Sequence, residues 1–65
     1  MNRTKEAIAA AFQELLEERP LNKITVKDIV ERCGVNRNTF YYHFRDKYDL
    51  LNWIFDMDFF RIAED

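Results

Sequence analysis

The sequence predicts an all-α protein: a bundle of three helices followed by a fourth, longer helix. Apolar residues recur at helical spacing along the first segment, and residues that favour helix N-termini stand at three later points of the chain. The 65 residues contain one Gly and one Pro, with 48% hydrophobic and 15% aromatic residues, which indicates a folded domain rather than a disordered segment. A chain of this length fits one small domain.

The first helix is predicted from Thr4 to Glu18, where Ile8 and Phe12 lie one turn apart on an apolar face. Pro20 ends it, because proline lacks an N–H and disfavours helical dihedral angles in the residue before it. We expect a loop at residues 21–22.

The second helix is predicted to begin at Val26. Thr25 can cap it, and Asp28 stands where the acidic member of a capping box is found. Gly34 occupies the position of a left-handed C-cap residue, which favours glycine because glycine has no Cβ. The helix is therefore about two turns long.

The third helix is predicted to follow Asn36, a favoured N-cap, and to cover about residues 37–44. Phe40 and Phe44 lie one turn apart and form its buried edge. The remaining positions concentrate hydrogen-bonding side chains, whereas solvated helix faces usually carry Glu and Lys. These side chains are Arg37, Asn38, Thr39, Tyr41, Tyr42 and His43. Since adjacent helix positions differ by about 100°, at least one of the two tyrosines must face outward.

The fourth helix is predicted to start at Asp46 and to run from Lys47 toward Ile62. Its apolar residues cover an arc of roughly 260°, against about 100° for an ordinary surface helix. One small domain cannot bury so wide a face, so we expect further chain or another subunit to cover the rest. The 65 residues are therefore expected to be part of a longer protein.

From the composition we expect that the chain belongs to none of several classes of protein. One cysteine, Cys33, cannot form an internal disulfide and is read as a small core residue, and with one histidine, His43, the chain lacks the ligands of a structural zinc site. A core this small leaves no room for a lined catalytic pocket, so we expect no enzyme activity and no cofactor. Neither a signal peptide nor a membrane span is visible, which favours the cytoplasm.

Charge is segregated along the chain although the formal net charge is only −2. Residues 1–20 carry −1, residues 21–47 carry +3 and residues 48–65 carry −4. Salt screens surface charges beyond about 10 Å, so a local basic segment can bind phosphate within an acidic chain. Any anion site is therefore expected between Leu21 and Lys47.

Two short helices joined by a tight turn, the second polar on its outer face, have the anatomy of a helix-turn-helix. We therefore expect sequence-specific binding to double-stranded DNA, with the third helix in the major groove. Arginine can donate to guanine, asparagine can pair with adenine, and Thr or Tyr can reach bases or a thymine methyl group. The expected base-reading residues are Arg37, Asn38, Thr39 and Tyr41. The expected phosphate-binding residues are Thr25, Lys27, Tyr42, His43 and Lys47.

Four stretches of this sequence resemble the TetR-type transcriptional regulators of bacteria. They are Ile24-Thr25-Val26-Lys27-Asp28-Ile29, Cys33-Gly34-Val35, Thr39-Phe40-Tyr41-Tyr42-His43-Phe44, and Lys47 with Leu50-Leu51. The resemblance implies a DNA-binding domain of homeodomain-like fold at residues 1–47 and the start of a connecting helix at 48–65. It also implies a C-terminal domain, absent from this chain, for homodimerisation and for binding a small-molecule inducer. Such proteins usually act as repressors.

The resemblance places the family's base and backbone contacts on the same residues that the helix pattern selects. Asn36 takes the position usually held by Ser and joins the phosphate-binding group. Tyr48-Asp49-Leu50-Leu51 with Trp53-Ile54 is similar to a branch that includes regulators of dihydroxyacetone kinase operons.

A second hypothesis treats the chain as a helical protein-interaction module. Its active surface is the aromatic stripe of residues 51–62, which contains Trp53, Phe55, Phe59 and Phe60. A membrane-surface role for this segment is weaker, because anionic lipid would repel its negative charge.

Overall fold

The computed structural model describes residues 2–64, and the side chains of residues 2–57. It contains α1 (Arg3–Glu18), a short 3-10 helix (Leu21–Lys23), α2 (Val26–Cys33), α3 (Arg37–His43) and α4 (Lys47–Glu64). The described residues include no strand. The predicted all-α fold of three helices and a longer fourth is confirmed. Phe59 and Phe60 of the predicted aromatic stripe have side chains outside the described set.

Helix α1 begins where a local cap permits and ends where proline requires. The side chain of Asn2 accepts a hydrogen bond from the Lys5 amide at 3.1 Å, so the helix begins at Arg3. Arg19 has an extended backbone, with φ −159° and ψ 161°, as expected for the residue before Pro20.

The segment predicted as a loop at residues 21–22 contains one turn of 3-10 helix. The Ile24 amide donates to the carbonyl oxygen of Leu21 at 3.1 Å. Few residues separate Pro20 from the cap of α2, and a 3-10 turn requires only an i to i+3 hydrogen bond. The spacing of residue types in the sequence does not reveal a helical turn as short as this one.

Helix α2 is held at both ends as predicted. The hydroxyl of Thr25 accepts from the Asp28 amide at 3.1 Å, and the Asp28 carboxylate accepts from the Thr25 amide at 2.9 Å, which completes the capping box. At the other end Gly34 has φ +77°. The Val30 carbonyl oxygen accepts from the amides of Gly34 and Val35 at 2.9 and 3.2 Å.

One hydrophobic core joins the helices. The core includes Phe12, Leu15, Ile24, Ile29, Phe40 and Phe44, each of which is at most 3% exposed, and the predicted burial of Phe40 and Phe44 is confirmed. Leu50 and Ile54 bring α4 into the same core. Cys33 is half-buried against it, in agreement with a packing role. No helix in the described part of the chain is long and apolar enough to cross a membrane.

Ion pairs tie α1 to α2 on the exposed side of the bundle. Arg32 donates two hydrogen bonds to the Glu18 carboxylate, one of them from Nη2 at 2.9 Å, and lies 3.7 Å from Glu14. Arg19 lies 3.9 Å from Asp28. The hydrogen bond from Arg32 lowers the pKa of Glu18, and the hydrogen bonds with Thr25 lower the pKa of Asp28.

These two lowered pKa values predict that acid weakens the fold. As the pH falls, the unfolded chain takes up protons at the ordinary pKa values of 4.5 for Glu and 3.8 for Asp, before Glu18 and Asp28 do so in the folded chain. Their contribution is therefore fully present above this range and is lost as the pH falls through their lowered pKa values. Urea unfolding at neutral pH and at successively lower pH should show a falling free energy of unfolding. The double variant Glu18→Gln, Asp28→Asn should be less sensitive to pH, and equal sensitivity in both chains would contradict this assignment.

Candidate nucleic-acid interface

The third helix is fixed at its start and along its buried side. The side-chain oxygen of Asn36 accepts from the Thr39 amide at 2.8 Å and from the Thr39 hydroxyl at 3.0 Å. Phe40 is fully buried. The helix ends at His43, one residue before the predicted end, because Phe44 adopts an extended backbone with φ −137° and ψ 144°.

The opposite side of α3 is a surface of polar and aromatic side chains. Arg37 and Asn38 are exposed, and Thr39 is half-buried. Tyr41 is 50% exposed and Tyr42 is 86% exposed, so both tyrosines face outward. The predicted base-reading residues therefore lie on one short helix, accessible to a ligand.

The hydrogen bond between Thr39 and the N-cap residue Asn36 limits how the Thr39 hydroxyl can bond to a DNA base. Its hydroxyl hydrogen is directed at the side-chain oxygen of Asn36. The hydroxyl lone pairs and the methyl group are the parts of the side chain left for outside contacts. Thr39 is thus suited to contact a thymine methyl group or to accept a hydrogen bond.

Aromatic rings meet edge to face at the C-terminal end of α3. The rings of Tyr42 and His43 have centroids 5.0 Å apart and planes at 85°, and Tyr41 packs in the same manner on Phe40 at 5.3 Å. His43 is half-buried. The rings of Tyr42 and His43 therefore lie side by side at the end of α3, where Tyr42 is largely exposed.

The N-terminus of α2 brings Thr25 and Lys27 to the surface, and both are exposed. The Thr25 hydroxyl accepts from Asp28 but keeps its own hydrogen for donation. The first backbone N–H groups of a helix have no partner within the helix and favour anions. These predicted phosphate-binding residues thus belong to a second element, separate from α3.

Lys47 lies in a setting that the sequence does not predict. Its ammonium donates to the carbonyl oxygen of Leu21 at 2.8 Å and to that of Ile24 at 2.7 Å, and the residue is half-buried. The partners are main-chain atoms more than 20 residues away, and no side-chain pattern marks them. The phosphate contact expected of Lys47 stays a prediction.

Sequence reasoning also missed a contact of Lys5. Its ammonium lies 5.3 Å from the centroid of the Phe44 ring and 5.0 Å from that of Trp53, within the range of a cation–π interaction. The two rings pack against each other at 5.8 Å. Lys5 thereby connects the start of α1 to the end of α3 and to α4.

Two short helices held by a capping box and a left-handed glycine, with a polar exposed second helix, define a helix-turn-helix DNA-binding domain. Comparison with known proteins identifies the family to which this domain belongs. The family described as "Bacterial regulatory proteins, tetR family" matches residues 7–54. The chain belongs to this family.

The relatives are transcriptional regulators. The chain is 37% identical over 62 residues to the dhaKLM operon transcriptional activator DhaS of Lactococcus lactis, which covers 95% of this chain and 33% of that protein. It is 42% identical over 50 residues to the regulator EthR of Mycobacterium tuberculosis, and the match covers 77% of this chain and 23% of EthR. It is 39% identical over 51 residues to the repressor BepR of Brucella suis, and the match covers 78% of this chain and 24% of BepR.

A solved structure agrees with these relatives. The dihydroxyacetone kinase operon activator DhaS has a TM-score of 0.84 and 38% identity, with 88% of this chain and 32% of that chain covered. The chain therefore spans about a third of the length of these proteins or less. Its similarity to a regulator of a dihydroxyacetone kinase operon is confirmed, and its helix-turn-helix is a sequence-specific DNA-binding unit. The alternative of a protein-interaction module at residues 51–62 finds no support among these relatives.

Proposed function

We propose that α3 lies in the major groove of an operator and reads its bases with Arg37, Asn38, Thr39 and Tyr41. The observation that carries the proposal is the exposure of Arg37, Asn38 and Tyr41, beside the half-buried Thr39, on one helix whose start and buried side are fixed. Arg37 and Asn38 stand at the leading end of α3, where recognition helices contact base edges. An arginine there suits guanine, and an asparagine suits adenine.

The same proposal assigns the DNA backbone to two flanking groups of residues. Thr25 and Lys27 at the start of α2 hold phosphates on one side of α3. Asn36, Tyr42 and His43 hold phosphates from the two ends of α3, and Lys47 holds one from the start of α4. Contacts of this kind set the register of the protein on the duplex and carry no base preference.

We propose that the chain acts as a binding domain, not an enzyme, within a longer cytoplasmic regulator. Residues 1–47 form the DNA-binding domain, and 48–65 begin a connecting helix. The relatives are about three or more times longer than the part matched, which supports a further C-terminal domain for homodimerisation and for binding a small-molecule inducer. They include an activator and a repressor, so we assign control of transcription without a direction.

A backbone amide NMR titration of the 65-residue chain with a mixed-sequence duplex tests the interface. We expect shifts at residues 25–28 and 36–47 that shrink as salt is raised, because phosphate contacts release counterions. The experiment detects weak binding, which suits a domain without its dimer partner. Shifts absent from these segments at low salt, or confined to residues 51–57, would overturn the proposal.

A further inference from the structure

The arginines of this domain differ in whether the protein itself neutralises them. Arg32 donates to the carboxylate of Glu18 at 2.9 Å, and Arg19 lies 3.9 Å from the carboxylate of Asp28. Arg45 is exposed, and its guanidinium has no ion-pair partner in the described part of the chain. Its charge is therefore available to an anion outside the domain.

The backbone at Arg45 is held in place by its neighbours. The Arg45 amide donates to the Asp49 carboxylate at 2.9 Å, and the Asp46 carboxylate accepts from the Asp49 amide at 2.8 Å. Phe44 has an extended backbone, with φ −137° and ψ 144°, and is buried. Successive side chains of an extended segment point to opposite sides, so Arg45 points away from the core.

Arg45 also lies between two residues of the proposed interface. His43 stands two residues before it and Lys47 two residues after it, and both are proposed to bind phosphate. Two residues of chain span at most about 7 Å, and a duplex carries one phosphate charge per about 1.7 Å of its axis. A guanidinium at this point is therefore within reach of a phosphate close to those two contacts, and its planar set of donors matches phosphate oxygens.

We propose that Arg45, at the junction of α3 and α4, is a further phosphate ligand of the DNA interface. It adds one charged contact, which raises affinity and salt dependence and carries no base preference. This inference rests on the proposed DNA interface.

The test compares Arg45→Gln with Arg32→Gln, which removes the same charge at the ion pairs between α1 and α2. Affinity for mixed-sequence duplexes is measured by fluorescence anisotropy over a series of salt concentrations, at a temperature where urea curves show each chain folded. Because both variants change the net charge equally, a difference between them reports where the charge lies.

We expect Arg45→Gln to lower the slope of log affinity against log salt by about 1 and to weaken all duplexes by a similar factor. Arg45→Lys keeps the charge and should keep the slope. Arg32→Gln should keep the slope as well, and its urea midpoint should fall because it loses its ion pairs with α1.

Three results would overturn the inference. An unchanged slope in Arg45→Gln would exclude a phosphate contact, and an equal fall in Arg32→Gln would reduce the effect to net charge. A loss confined to one base pair would make Arg45 a base-reading residue. Failure of the unsubstituted chain to bind any duplex at low salt would contradict the proposed function as a whole, whereas the other results leave that function standing.

A measurement on the unsubstituted chain gives an independent test. The ¹⁵Nε signal of the Arg45 guanidinium should move, and its hydrogen exchange should slow, when a duplex is added. Arg32 provides the comparison within the same sample and should change little. A DNA-induced change at Arg45 no larger than that at Arg32 would overturn the assignment.

Discussion

Replacing Phe40 with alanine should unfold a large fraction of the chain at room temperature. Phe40 is fully buried, and truncation of a buried phenylalanine costs about 3–5 kcal/mol. Domains have about 0.05–0.15 kcal/mol of stability per residue, so this cost is comparable with the whole stability of so short a chain. Far-UV circular dichroism and urea unfolding measure the effect.

Phe55→Ala is the matched control for this experiment. Phe55 lies on α4 and is 62% exposed, so the same truncation should change the free energy of unfolding by no more than about 0.5 kcal/mol. An equal loss in the two variants would show that the core does not centre on Phe40. A folded Phe40→Ala chain with nearly unchanged stability would show the same.

Replacing Arg37 with alanine should relax base preference at one position of the operator. A bidentate contact from arginine to guanine discriminates by about 1–3 kcal/mol, and Arg37 is exposed at the leading end of α3. The measurement is a set of affinities for duplexes that differ by single base pairs, selected first with the unsubstituted chain. The preference should disappear at one base pair and persist at the others.

Lys27→Ala supplies the contrast to Arg37→Ala. A phosphate contact carries no base preference, so this variant should bind all duplexes more weakly by a similar factor. The ranking of the duplexes should be preserved. If both variants weakened every duplex equally, the division into base-reading and phosphate-binding residues would be wrong.

The helix boundaries could be predicted because the interactions that set them are local. Thr25 and Asp28 form their capping box three residues apart, and Asn36 caps α3 by bonding Thr39. Gly34 has the left-handed backbone that its position after α2 requires. In each case a short-range pattern specifies both partners, so residue type and spacing are sufficient.

Contacts between elements could not be predicted in this way. Lys47 donates hydrogen bonds to main-chain carbonyls, which every residue type has, so the sequence does not mark these partners. Arg32 forms hydrogen bonds with Glu18, although other acidic residues lie near the end of α1. Lys5 meets two rings from distant parts of the chain. These partners depend on how the helices pack, and one sequence gives no measure of that packing.

The candidate site likewise has properties that the sequence predicts and others that only the folded chain shows. The exposure of Asn38 and Tyr41 follows from helical spacing once Phe40 is taken as buried, whereas Arg37 lies one turn before Phe40 and its exposure is seen only in the structure. The reduced donor capacity of Thr39 and of Lys47 depends on hydrogen bonds seen only in the folded chain. Sequence therefore indicates which side chains are presented, and structure decides which of their atoms are available.

The packing of Trp53 gives this domain a built-in optical reporter. The sequence contains one tryptophan, and its ring lies 5.8 Å from that of Phe44, with the Lys5 ammonium 5.0 Å away. Side chains from α1 and from the end of α3 therefore contact a single chromophore on α4, whose emission depends on the polarity and charge around it. Any change in how α4 sits against the end of α3 becomes readable from unlabelled protein, without a dye on the surface that meets DNA.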